Sequence, residues 1–155
     1  LTQHTQYPAD GDSSMQLAMT RQERFTFALR IPAWAGRQTR VSVNGKRIDT
    51  PLIPGTWAEV DRTWKDGDRV EVSLDLPLRL MPIDPQHPGI VALLSGPQAL
   101  FAIEQGSQSI TQKQLLAARR VGSSAVWEVA ASAGKVRMMP YPEIKEEHYR
   151  LYQAT

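Results

Sequence analysis

The sequence has no cysteine. That excludes disulfides, thiolate zinc sites and a cysteine nucleophile within this chain. No apolar run approaches the roughly 20 residues needed to span a bilayer as a helix, so no membrane partner is expected. Charge of one sign never accumulates. The 18 basic and 16 acidic residues leave a net charge of +2, and no basic run is longer than Arg119-Arg120. Nucleic acid is therefore not an expected partner. No Gly-rich phosphate loop, Gly-x-Ser-x-Gly elbow or Ser-His-Asp arrangement occurs, and there is no internal repeat. Leu1 to Asp12 is polar and lacks both an initiating Met and a secretion-signal core. The chain is thus expected to be a piece of a longer polypeptide. It is expected to be soluble, in the cytoplasm or in the periplasm or secreted.

The apolar fraction of 41% is enough for a folded core. At 155 residues the chain is expected to be a single β-sandwich domain over 1–155, with a subdivision, if any, near 82–89. Period-2 alternation dominates. Met15, Leu17 and Met19 share one face. So do Phe25, Phe27, Leu29 and Ile31, with Arg24, Thr26 and Arg30 mostly opposite. Val41 and Val43 alternate with Arg40 and Ser42, and Val70, Val72, Leu74 and Leu76 with Arg69, Glu71, Ser73 and Asp75. Asn44-Gly45 has the chemistry of a type I′ hairpin turn.

Four prolines between Pro77 and Pro88 exclude a central strand or helix there and point to an edge segment and a crossover. Gly89 to Ser95 is nearly all apolar, which predicts burial on both faces. Gly96-Pro97 breaks that run, and Gln98 to Glu104 resumes as a strand. Ser109 to Val121 reads equally as one short helix capped by Ser109 or as a loop and short strand. Ala125–Ala131 and Lys135–Met139 read as a hairpin around Ser132-Ala133-Gly134. Tyr149, Leu151 and Tyr152 suggest a final strand. The expected fold class is all-β: an antiparallel, jelly-roll-like β-sandwich with at most one short helix.

Several side chains invite a chemical reading. Glu59 and Asp61 share one strand face, and Asp66 and Asp68 flank Gly67. A glycosidase needs two carboxylates about 5–9.5 Å apart. A solvated strand face and an Asp-Gly turn account better for these four. Asp10-Gly11-Asp12-Ser13-Ser14 has oxygens at alternating positions, as part of a calcium loop does, but lacks the later bidentate Glu. Asp84 and His87 supply only two ligands, and His4 and His148 stand alone. Trp34, Trp57, Trp64 and Trp127 are candidates for stacking on sugar rings, although in a small sandwich tryptophans normally fill the core. Trp34 and Trp64 lie near turns, where partial exposure is expected.

One ordered set of motifs carries a resemblance. It comprises Thr5-Gln6-Tyr7-Pro8, Leu29-Arg30-Ile31-Pro32-Ala33-Trp34, Val43-Asn44-Gly45, Arg62-Thr63-Trp64-Lys65-Asp66-Gly67-Asp68 and Ser95-Gly96-Pro97, with Met139-Pro140-Tyr141 in the tail. This set resembles the C-terminal β-sandwich region that follows the catalytic barrel in the β-L-arabinofuranosidase family, glycoside hydrolase family 127. Ser95 departs from the arginine often found before Gly-Pro there, and Thr56-Trp57 departs where Tyr is common. The resemblance implies a parent enzyme whose α/α barrel carries a cysteine nucleophile on a zinc with cysteine and glutamate ligands, and a glutamate acid/base. None of those residues has a counterpart here. The expected role is therefore non-catalytic, with no catalytic or metal-binding residue and no cofactor in this chain. The implied partner is the barrel of the same polypeptide, with homodimerisation as a second role. The alternative is a carbohydrate-binding module that uses exposed tryptophans, its sugar-binding residues unassigned.

Overall fold

The computed structural model describes residues 1–103 and 109–155. They form antiparallel β-structure with one short α-helix, and no helix among them is long and apolar enough to cross a membrane. The chain divides into two compact units, Leu1–Pro77 and Leu78–Thr155. The division falls ahead of the 82–89 stretch.

The first unit holds seven strands: β1 (Thr2–Thr5), β2 (Asp12–Gln16), β3 (Glu23–Arg30), β4 (Arg40–Val43), β5 (Lys46–Arg47), β6 (Trp57–Trp64) and β7 (Arg69–Ser73). Five make a sheet in the order β1-β2-β7-β4-β5, and β3 pairs only with β6 in a two-stranded ribbon. Register follows the period-2 pattern, because a slip of one residue would turn every apolar side chain outward. Met15 lies opposite Val70, and Val70 opposite Val43. In the ribbon, Phe27 lies opposite Val60 and Leu29 opposite Ala58. The two inner faces meet in one core of Met15, Leu17, Ile31, Val41, Val43, Ala58, Trp64 and Val70. Phe25, Phe27 and Leu29 pack against it from the ribbon.

The alternation on β3 makes a direct test. Phe27 is half-buried against this core, whereas Thr26 is exposed opposite Asp61. Phe27→Ala should cost about 2–4 kcal/mol, at or below the range for fully buried phenylalanine. Thr26→Ala should change stability by less than about 0.5 kcal/mol. Urea midpoints of the two variants decide it, and equal losses would mean that both faces of β3 are covered.

Asn44 and Gly45 join β4 to β5 as expected, with φ of 51° and 76°. Both residues are left-handed, as a type I′ turn requires. A Cβ on Gly45 would meet nothing within 4 Å, so any substitution penalty there is conformational. Gly45→Val should destabilise by about 1–2 kcal/mol. An unchanged thermal midpoint would overturn this reading of the turn. Gly11 is needed for a different reason. Its Cβ would lie 1.9 Å from the Leu74 carbonyl oxygen, in the place where Leu74 N–H donates to the Gly11 carbonyl at 2.9 Å.

The second unit contains β8 (Leu78–Pro82), β9 (Ile90–Ser95), β10 (Gln98–Ile103), the helix α1 (Gln112–Leu116), β11 (Arg119–Arg120), β12 (Trp127–Ala131), β13 (Gly134–Pro140), β14 (Tyr149–Arg150) and β15 (Tyr152–Ala154). Glu104 of the expected strand Gln98–Glu104 lies outside the described residues. The proline-rich stretch begins as an edge strand, with β8 paired only to β9. β9 is central, and Val91 to Ser95 are all buried, as its unbroken apolar run predicts. Its other side is shared by β10 and β15. The hairpin β12–β13 turns at Ser132-Ala133.

The ambiguous stretch 109–121 contains both alternatives, a one-turn helix and then a two-residue strand. Its cap is Thr111, not Ser109. Thr111 Oγ1 accepts from Gln114 N–H, and the Gln114 side chain accepts from Thr111 N–H at 2.8 Å, a reciprocal capping box. Leu115 from this helix is fully buried with Val91, Leu93, Leu100, Val129 and Met138 in the second core.

Candidate functional site

The acidic side chains singled out by sequence take up structural work. Asp61 on β6 receives Arg24 Nη2 at 2.7 Å across the ribbon. That hydrogen bond and the guanidinium charge hold its carboxyl below the usual range. A general acid needs the opposite displacement. Asp66 Oδ1 accepts from Met19 N–H at 2.9 Å, tying the turn before β7 to the segment after β2.

Asp68 is almost completely buried. Its Oδ1 accepts from Asn44 Nδ2 at 2.8 Å, and its Oδ2 accepts from Lys65 N–H at 3.1 Å and lies 3.7 Å from Arg62 Nη2. Burial pushes this carboxyl upward. The Asn44 amide, the Lys65 N–H and the Arg62 and Lys65 charges outweigh it, so Asp68 stays below its ordinary value.

The segment Asp10-Gly11-Asp12 is a turn in which Asp10 Oδ1 accepts from Asp12 N–H at 3.0 Å. Asp84 likewise accepts from the backbone of Gln86 and His87, both at 2.8 Å, and its carboxylate lies 2.8 Å from His87 Nδ1. Among the described residues, no three His, Asp or Glu side chains gather as a metal would require.

The tryptophans divide sharply. Trp64 is fully buried, which corrects the expectation of partial exposure. Although a turn follows it, Trp64 sits on the inward phase of β6 with Ala58 and Val60. Trp34 is half-buried and stacks on Tyr7 at 6.4 Å, and Trp127 is half-buried against the second core. Trp57 alone is more than half exposed, with the Arg30 guanidinium 5.9 Å from its ring centre.

A concavity lies elsewhere, on the outer face of the five-stranded sheet. It is open and about 740 Å³ in volume. Alternation places polar residues on this face in cross-strand rows. One runs His4–Ser14–Glu71–Ser42–Arg47 and the next Asp12–Ser73–Arg40. Glu71 accepts from Ser42 Oγ at 3.1 Å and pairs with Arg69 Nε at 3.2 Å. Alternation along the chain tells each residue's face but not these rows, because β2, β7 and β4 are neighbours in the sheet and not along the chain.

The architecture and the comparisons point the same way. Residues 1–76 match the family model described as "Beta-L-arabinofuranosidase, GH127 middle domain". The match covers the first unit and stops just short of half of the chain. The match ends beside the boundary between the units, at Pro77. Solved structures extend the likeness of fold over the rest. A GH127 β-L-arabinofuranosidase from Geobacillus stearothermophilus T6 superposes with a TM-score of 0.76 at 23% identity, over 98% of this chain and 30% of that one. A protein titled glycoside hydrolase gives 0.71 at 21% identity, over 97% of this chain and 31% of the other. A GH127 β-arabinofuranosidase gives 0.66 at 23% identity, over 98% and 30%. The chain therefore spans about 30% of the length of these relatives in structure. No curated protein matches it.

Proposed function

We infer that this chain is the non-catalytic β-sandwich part of a glycoside hydrolase of the β-L-arabinofuranosidase type. It follows the catalytic α/α barrel and supports it. The observation that carries this reading is the match of residues 1–76 to the middle domain of that family, in a chain that fills only 30% of the enzymes it superposes on. The first unit is then the middle domain, and the second unit continues toward the C-terminus of the parent. Two further observations support a structural role. The chain has no cysteine to act as a thiolate nucleophile. Asp61, held by Arg24, has its carboxyl displaced away from acid catalysis. The zinc expected of the parent would belong to the barrel, as would the sugar specificity. Self-association of the parent through this region is a subsidiary part of the proposal.

The purified chain should release no p-nitrophenol from p-nitrophenyl β-L-arabinofuranoside or other aryl glycosides above the buffer rate, with or without added zinc. Zinc-dependent turnover by this chain would overturn the assignment. The supporting role has its own test in the parent enzyme. Deleting these residues should leave the barrel insoluble or lower its melting temperature by more than 10 °C. A barrel as stable and active without them would refute the role.

A further inference from the structure

The polar concavity on the five-stranded sheet has a charge distribution that the supporting role does not require. Arg40 and Arg47 are on its wall. Arg47 lies opposite Ser42, and Arg40 is two residues before Ser42 on the same face, so the two arginines are diagonal cross-strand neighbours. Neither makes an ion pair or a side-chain hydrogen bond among the described residues. The neighbouring Arg69 does, with Glu71 at 3.2 Å. Two guanidiniums side by side repel, and an anion held between them removes that repulsion. Their planar forks suit a carboxylate.

The opposite wall has the reverse character. Asp12, exposed and without an ion-pair partner among the described residues, faces Arg40 across Ser73 in a single row. Two strand spacings of about 4.8 Å separate that pair, which is room for one pyranose ring. Asp12 and Ser14 can accept and donate to ring hydroxyls. The three carboxylates lining the concavity, Asp10, Asp12 and Glu71, would repel a polyphosphate chain, so a nucleic acid does not fit.

We propose that this face is a binding subsite for a uronate-bearing saccharide, with the sugar carboxylate on Arg40 and Arg47 and the ring hydroxyls on Asp12, Ser14 and Ser73. It uses no tryptophan, and it does not depend on the parent being an arabinofuranosidase.

The test is titration of the chain with a galacturonate trisaccharide and with its methyl ester, followed by amide NMR. The acid should shift residues of β2, β4, β5 and β7. The ester should bind at least tenfold more weakly, and raised salt should weaken the acid. The double variant Arg40→Gln with Arg47→Gln should fold as the native chain does, since both side chains are exposed, and should lose at least tenfold in affinity. If it does not fold, the single variant Arg47→Lys, which keeps the charge and loses the fork, should still weaken binding several-fold. Four outcomes overturn the proposal: no shift on this face at millimolar trisaccharide, equal binding of acid and ester, undiminished binding by the folded variants, or inorganic phosphate displacing the trisaccharide at the same concentration. The last would leave only a simple anion site.

Discussion

Trp64→Ala should cost about 3–5 kcal/mol and leave the first unit largely unfolded at physiological temperature. Trp64 is fully buried and is the largest side chain in its core. Its ring lies 5.7 Å from Phe25 and 5.6 Å from Phe27, and the Arg62 guanidinium sits 5.0 Å from the ring centre on the way to Asp68. Its Nε1–H donates to the Phe25 carbonyl at 2.9 Å. Truncation therefore opens a cavity, removes aromatic contacts from the ribbon and takes a partner from a backbone acceptor. Large-to-small changes of this kind fall in that range. A domain has only about 5–15 kcal/mol to lose. Trp64→Phe separates the contributions. It keeps most of the volume and loses the N–H, so it should cost about 1–3 kcal/mol. Hydrogen exchange at β3 and β6 is the measurement. Protection unchanged in Trp64→Ala would mean that this core does not rest on the ribbon.

Much of this architecture was legible along the chain, for physical reasons that can be named. Period-2 alternation sorted Phe25, Phe27 and Leu29 from Arg24 and Thr26, because a strand has only two faces. Asn44-Gly45 announced its turn, because few other pairs accept two left-handed residues. The unbroken run before Gly96 marked β9 as central. Two misreadings came from weighing local cues wrongly. Ser109 reads as one candidate helix cap, although Thr111 and Gln114 stand at the spacing of a capping box. The turn beside Trp64 suggests exposure, although its parity with Ala58 and Val60 turns it inward.

The candidate site was less legible. Alternation says which face a residue takes but not which strand lies beside it. Arg40, Ser73 and Asp12 become a row only through the order β2-β7-β4. The closing of long loops that sets this order leaves no short-range mark. The same holds for Asn44 and Asp68, which the sequence offers as two unrelated turn residues.

That pair carries the second large effect. Asp68→Ala should destabilise the first unit by about 2–4 kcal/mol, because the buried carboxylate accepts two hydrogen bonds and removing it leaves their donors unpaired. The consequence reaches further than one turn. Asn44, held by Asp68, also accepts from Arg69 N–H through its Oδ1 at 2.8 Å, and its own N–H donates to the Arg69 carbonyl at 2.9 Å. The β4–β5 turn is thus pinned to the start of β7 by one buried acid. Asp68→Asn tests the charge itself. It keeps the shape but turns an amide NH₂ toward either the Asn44 amide or the Lys65 N–H, a donor facing a donor, and should cost about 1–3 kcal/mol at pH 7.

The pH dependence has a definite sign. A carboxyl whose folded pKa is depressed stabilises the fold at pH values above its unfolded pKa of about 4. That stabilisation is lost as pH falls through the lower folded value. Native chain and Asp68→Asn should therefore differ most near neutrality, and their denaturation midpoints should converge below about pH 4. The difference should survive added salt better than that of an exposed pair such as Arg24–Asp61, because buried charges are screened less. A gap between the two midpoints that stays constant from pH 7 down to pH 2 would show that the loss in Asp68→Asn does not come from the ionised carboxylate, and that the charges of Arg62 and Lys65 around it do not stabilise the turn.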